Sequence, residues 1–252
     1  MMAVKSGIGF LLVILCLVGC SKNDGAPPLP AGGGGGGGGS SVGGTGEVTF
    51  KTSDDWTIHG DYYPAPNARG AVILLHQRGG SASDWRPIIF KLTGAKLSAL
   101  ALDQRGAGRS TGKQNGDDAP WDTSKDIEAA IDWLKIKGVS ADHIGLAGAS
   151  YGANNAMIYA AKKPGIRAIA LLSPGKDYHS LAIPAEIAKY KGGILVLTAT
   201  GDSIQQGGPD AIKKLAPGTE LKSYDGDAHG TNLFRAHSDS IEALTSFLKE
   251  KV

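Results

Sequence analysis

Gly148-Ala149-Ser150-Tyr151-Gly152 follows an apolar run, Ile144-Gly145-Leu146-Ala147, and precedes a helix-like segment running from Ala153 to Ala161. The pattern predicts a strand, a tight turn with serine at its apex, and a helix. In that context G-x-S-x-G makes a nucleophile elbow. The turn brings the residues two before and two after the serine against other backbone, where glycine fits because it has no Cβ. The helix that follows points its N–H groups and positive dipole end at the serine, where an oxyanion would develop. Context matters because the chain holds 38 glycines and matches G-x-S-x-G three times. Gly39-Ser40-Ser41-Val42-Gly43 lies in a low-complexity stretch, and Gly108-Arg109-Ser110-Thr111-Gly112 in a polar loop with no helix pattern directly after it. Only Ser150 has the strand before and the helix after.

The first part of the chain reads as targeting and tether. Lys5 forms a positive start, Ile8 to Val18 an apolar core, and Leu17-Val18-Gly19-Cys20 closes it. The core is too short to span a bilayer comfortably. The segment resembles a bacterial lipoprotein signal, with residues 1–19 removed and Cys20 lipidated. Ser21, rather than Asp, after the cysteine resembles the pattern for the outer membrane. Cys16 would leave with the signal, so the mature chain would hold one cysteine and no intramolecular disulfide. Residues 20–46 carry Pro27-Pro28-Leu29-Pro30 and then eight glycines, Gly32 to Gly39. Such a segment buries no core and is expected to be a flexible tether, spanning about 25–30 Å root-mean-square.

Residues 47–252 suit one domain. Glu47–Lys51 and Thr57–Tyr63 alternate as strands. The runs Ala71–Leu75 and Leu97–Leu102, the strand starting at Ile144, and Ile166–Leu172 and Ile194–Ala199 read as strands covered on both faces. Glu220–Tyr224 closes the set at eight strands, with the elbow after the fifth. Helices are expected over Asp84–Leu92 (Ser83 as cap), Asp122–Lys137, the segment after Ser150, Ile183–Tyr190, Asp210–Leu215 and Asp239–Lys251 (Ser238 as cap). Strand-helix alternation of this kind predicts an α/β architecture: a mostly parallel sheet with helices on both faces. Only Ser173 to Gly193 separates the sixth strand from the seventh, so any lid is minimal.

That order, with the elbow, resembles the α/β-hydrolase fold over residues 47–252, and more narrowly the dienelactone-hydrolase-like serine esterases. The further residues carrying the match are Leu74-Leu75-His76-Gln77-Arg78-Gly79-Gly80-Ser81, Leu102-Asp103-Gln104-Arg105-Gly106-Ala107-Gly108-Arg109-Ser110 and Leu172-Ser173-Pro174-Gly175. Gln77 stands where the commoner pattern has Gly. Dienelactone hydrolases proper carry Cys at the elbow, and Ser150 here points to general ester hydrolysis rather than lactone chemistry.

A serine hydroxyl needs a base within reach, and the base an orienting acid. On this fold they follow in the order Ser, Asp or Glu, His. His229, in the loop after the last strand, is the expected base; His237 lies nearer the final helix, where it would be solvated or cap that helix. Asp202, after the seventh strand, is the expected acid, with Asp177 and Asp210 as rivals. The oxyanion hole would use the backbone N–H groups of Gln77 and Tyr151. His76, Asp103 and Arg105 read as loop-holding residues, and Trp85, Tyr151 and Tyr178 as residues lining the site.

The expected reaction is hydrolysis of a small carboxylic ester through an acyl-enzyme. A peptidase or acyltransferase on the same triad, or a non-catalytic binding lipoprotein, are the alternatives. No cofactor is implied: no His, Cys, Asp or Glu cluster has metal spacing, the dinucleotide spacing from Gly106 fails at Thr111, and no P-loop is present. The formal net charge of +2 comes without a basic run, so no nucleic-acid partner is expected.

Overall fold

Uniform burial of the middle strands sets the architecture. A computed structural model describes residues 46–112 and 122–252. The expected signal, Cys20 and nearly all of the tether lie outside the described residues. Strands β1 (Gly46–Lys51), β2 (Thr57–Tyr63), β3 (Gly70–Leu75), β4 (Leu97–Asp103), β5 (Ile144–Ala149), β6 (Ile166–Leu172), β9 (Gly193–Ala199) and β10 (Glu220–Tyr224) form one sheet in the order β1-β2-β4-β3-β5-β6-β9-β10. Every residue of β3, β4 and β5 is buried. β1 pairs with β2 and β2 with β4 antiparallel, while β4, β3, β5, β6, β9 and β10 run parallel.

The handedness of the crossovers decides which helix covers which face. The step from β3 to β4 runs one way along the sheet and carries α1 (Arg86–Gly94). The later steps run the other way, carrying α2 (Ser124–Ile136), α3 (Tyr151–Lys162) and α4 (Gly208–Leu215). Right-handed connections therefore put α1 on one face and the other three opposite. The side chains agree. Ile73, Leu75, Leu100, Leu146, Ile169 and Val196 pack with Ile127, Met157 and Ile212 of α2, α3 and α4. Val72, Leu74, Leu195 and Leu197 pack with Ile88 and Leu92 of α1 and Leu244 and Leu248 of α6 (Asp239–Lys251). Each fully buried aliphatic side chain of this kind contributes about 1.5–3 kcal/mol.

Several local expectations are corrected. Ser81, not Ser83, caps the turn after β3: its hydroxyl accepts from Ser83 N, and Asp84 answers in a capping box, starting a 3-10 turn over Ala82–Trp85 that leads into α1. That turn drives Trp85 into the core against Phe234 of α5 (Leu233–Ala236), so Trp85 does not line the site. Ser238 makes no side-chain cap. The helix expected over Ile183–Tyr190 is a 3-10 turn, Ala185–Lys189. Before it stands a small hairpin, β7 (Asp177–Tyr178) and β8 (Leu181–Ala182), paired antiparallel. Its two turn residues, His179 and Ser180, both have positive φ, 50° and 70°, as a two-residue hairpin loop requires.

The chain moves from β3 outward to β4, then returns past β3 to β5. The carboxyl ends of β3 and β5 thus flank a topological switch point, where α/β sheets place their crevices.

Candidate active site

Ser150 follows β5 at the switch point with φ 51° and ψ −116°, a strained conformation for a residue with a side chain. Ser150 N donates to Leu172 O at 2.8 Å, and its carbonyl accepts from Ala153 N and Asn154 N. The elbow glycines have no room to spare. A Cβ on Gly148 would come 2.6 Å from Ala153 N, and one on Gly152 2.6 Å from His76 O. Gly152→Ala is therefore expected to cost about 1–3 kcal/mol of stability. It should also displace the His76-Gln77 backbone enough to cut turnover at least tenfold per folded molecule. Thermal unfolding and steady-state rates on the same preparation check both.

His229 lies just beyond β10. Its Nδ1 stands 2.7 Å from Asp202 Oδ2 and its Nε2 2.7 Å from Ser150 Oγ. With a carboxylate as the only possible acceptor at Nδ1, the network assigns the N–H there and leaves Nε2 to accept the serine proton. Asp202 follows β9, is buried, and also accepts from Ile204 N at 3.2 Å. The rivals lie elsewhere: Asp177 is exposed on the hairpin, and Asp210 is exposed in the first turn of α4. His237 Nε2 meets Asp225 O at 2.7 Å, and its ring stacks on Tyr224.

The two candidate oxyanion donors sit on peptide planes held from behind. His76 C=O shares its plane with Gln77 N–H and accepts from Gln104 Nε2 at 2.8 Å. In a trans peptide the N–H then points the opposite way. Burial pushes the His76 imidazole below its ordinary value and so keeps it neutral. Its Nδ1–H donates to Gln77 O at 2.7 Å, and its Nε2 accepts from Gln104 N at 3.1 Å. Tyr151 is the first residue of α3, where backbone N–H groups have no intrahelical acceptor.

Asp103, Arg105 and Ser110 hold loops. Asp103 accepts from Ala82 N and from Arg109; Arg105 bridges Asp54 at 2.9 Å and Asp126 at 2.7 Å. Ser110 Oγ donates to Asp103 O at 2.5 Å and accepts from His59 N at 2.8 Å. Ser110→Ala should cost about 1–3 kcal/mol for the bonds lost by the His59 N–H and Asp103 carbonyl groups, with turnover per folded molecule unchanged. Chemical denaturation and activity assays separate the two effects, and a collapse of turnover in folded protein would count against the assignment.

Asn154, Thr231 and the Ser173 side chain join the site in roles that sequence reasoning did not assign. Asn154 of α3 donates to Gly175 O and Leu181 O and accepts from Gly175 N, tying the hairpin to the elbow helix. Ser173, with φ 49°, accepts from Gly230 N, and Thr231 donates to Gln77. Tyr178 stands edge-on to the His229 ring at 6.4 Å and donates to Ser173 O at 3.2 Å. Burial pushes its hydroxyl up to about 12, so it remains a donor at neutral pH.

Comparison with known proteins bears on the family and the fold. A family model described as "Serine aminopeptidase, S33" matches residues 66–200, more than half of the chain. The match includes Ser150 and stops before Asp202 and His229. A monoacylglycerol lipase of Mycolicibacterium smegmatis is 29% identical over 194 residues, covering 75% of this chain and 58% of that protein. A thiohydrolase of Arthrinium phaeospermum is 29% identical over 147 residues, covering 57% and 48%. The chain thus spans about half the length of these curated relatives. Among solved structures, the Pyrococcus furiosus esterase Pf2001 superposes with a TM-score of 0.67 at 21% identity, covering 82% of this chain and 93% of that one. The fold, the elbow and the family match together place the chain in the Hydrolase_4 (serine aminopeptidase, S33) family of α/β-hydrolases.

Proposed function

We propose that this chain is a serine hydrolase that cleaves small carboxylic esters through an acyl-enzyme. The observation that carries the reading is the position of His229, 2.7 Å from both Ser150 Oγ and Asp202 Oδ2. Ser150 Oγ attacks the ester carbonyl carbon while His229 Nε2 takes its proton. Asp202 holds the ring and stabilises the imidazolium that results. The N–H groups of Gln77 and Tyr151 receive the oxyanion. His229 then returns the proton to the departing alcohol, leaving an acyl group on Ser150. Water, deprotonated by the same imidazole, attacks that acyl group; the acid departs as His229 returns the proton to Ser150 Oγ.

Several features favour an ester as substrate. The elbow carries Ser rather than Cys, and two relatives bear the names monoacylglycerol lipase and esterase. The insertion between β6 and β9 amounts to one hairpin and one 3-10 turn, which suits a small or protruding acyl group. The narrower likeness to dienelactone-hydrolase-like esterases belongs to this reading as well. The family description names a peptidase, so the deciding assay sets p-nitrophenyl acetate, p-nitrophenyl butyrate and a monoacylglycerol against aminoacyl p-nitroanilides. Cleavage of esters well above anilides is expected; cleavage of anilides alone would overturn the ester reading.

The same proposal holds the protein at the bacterial cell envelope through lipidated Cys20, on the outer membrane. Its support is the apolar core ending in Leu17-Val18-Gly19-Cys20, followed by the glycine-rich tether. One acyl chain binds a membrane only marginally, whereas several together anchor stably. Cys20→Ala should move the protein out of the membrane fraction on cell fractionation while ester hydrolysis persists. Wild-type protein found wholly soluble, with no lipid on its N-terminus by mass spectrometry, would contradict the anchor.

A further inference from the structure

His229 lies on a loop five residues beyond the end of β10, and its bond to Asp202 constrains the imidazole ring only. The turn directly after it is held by two other side chains. Gly230 N donates to Ser173 Oγ at 3.0 Å. Thr231 N and Thr231 Oγ1 both donate to Gln77 Oε1, at 3.0 and 3.2 Å. Gln77 stands two residues past the end of β3, and Ser173 directly follows β6. β3 and β6 are the two neighbours of β5, which carries Ser150. The turn after the histidine is therefore tied to the strand ends on either side of the nucleophile.

We propose that Gln77 and Ser173 are positioning residues that hold the His229 turn at hydrogen-bonding distance from Ser150. This inference rests on the reading of Ser150 and His229 as nucleophile and base. Local geometry supports it from both ends. Ser173 sits at φ 49°, a left-handed conformation that costs a non-glycine residue about 1–2 kcal/mol. Glycine or asparagine would relieve that strain, but glycine would supply no hydroxyl to Gly230. At the other end, Gly230 has φ 57°, and a Cβ there would run into Gln77 Oε1. The turn is thus built around the glutamine side chain. Gln77 acts twice: its backbone N–H faces the oxyanion, and its side chain holds the base. A glycine at position 77 would supply only the first of these.

Misplacing a reacting group by about 1 Å can cost on the order of 100-fold in rate. Gln77→Met keeps the size of the side chain and the backbone N–H but removes the acceptor. In the full chain assayed with p-nitrophenyl acetate, with active sites counted by fluorophosphonate titration, Gln77→Met should lower kcat about 10- to 100-fold and leave KM within about twofold. Ser173→Ala should lower kcat in the same way. Thr231→Val should lower kcat a few-fold in the wild-type background and have no further effect in Gln77→Met, because the one bond it removes, from Thr231 Oγ1, is already absent there. A side chain that only stabilises the fold would lower the melting temperature and the number of titratable sites while leaving kcat per site intact; that result overturns the inference. So does an additive Thr231→Val effect in the Gln77→Met background. If wild-type protein itself neither titrates nor turns over, the assignment of Ser150 falls and the positioning role falls with it. If wild type titrates normally and Gln77→Met matches it in kcat, the positioning role alone is wrong.

Discussion

Ser150→Ala should abolish ester hydrolysis, lowering kcat by about 10³-fold or more while the protein stays folded. The substitution removes one hydroxyl oxygen from a site only 7% exposed, and none of the elbow's backbone bonds depends on it. Ser150 N still donates to Leu172 O, and Ser150 O still accepts from Ala153 and Asn154. A smaller side chain at φ 51° adds no new clash. Melting temperature and far-ultraviolet circular dichroism should match wild type, and turnover of p-nitrophenyl acetate should fall to the residue left by the oxyanion donors. Near wild-type turnover in Ser150→Ala would move the nucleophile elsewhere.

His229→Ala should cost as much as Ser150→Ala, because nucleophile and base act as a unit. Without the imidazole at 2.7 Å, Ser150 Oγ loses the base that the structure sets against it. The double variant Ser150→Ala/His229→Ala should therefore be little worse than either single one. Asp202→Asn should cost somewhat less. An amide NH₂ facing Nδ1 favours the tautomer with its proton on Nε2, which cannot accept from serine. Full activity in Asp202→Asn together with loss of activity in Asp177→Asn would transfer the acid to the hairpin.

The middle of the sheet is legible because burial on both faces leaves no alternation to misread. The run in β3 is uniformly apolar and those in β4, β6 and β9 mostly so, interrupted by Ser98 and Asp103, Arg167 and Thr198; given the strand order, right-handed connection places their helices. The order of Ser150, Asp202 and His229 is also legible, since each falls just past a strand that the sequence marks. What escapes is set by distance along the chain and by backbone conformation. Gln77 and Thr231 are 154 residues apart, Ser173 and Gly230 57 apart, and Asn154 and Gly175 21 apart. No local pattern links them. The β7–β8 hairpin has two residues in each strand, too few to show a period, and its turn uses His179 and Ser180 where glycine or asparagine would have signalled it. From the sequence, Trp85 reads as a residue lining the site. The Ser81 capping box instead turns it inward against Phe234.

The most direct test is covalent. Treat the full-length protein with a fluorophosphonate, digest it, and locate the adduct by mass spectrometry. The prediction is a single adduct, on Ser150, that disappears in His229→Ala and persists in Ser110→Ala. An adduct on Ser110, or none on Ser150 in folded protein, would contradict the assignment of Ser150, His229 and Asp202 as the reacting groups.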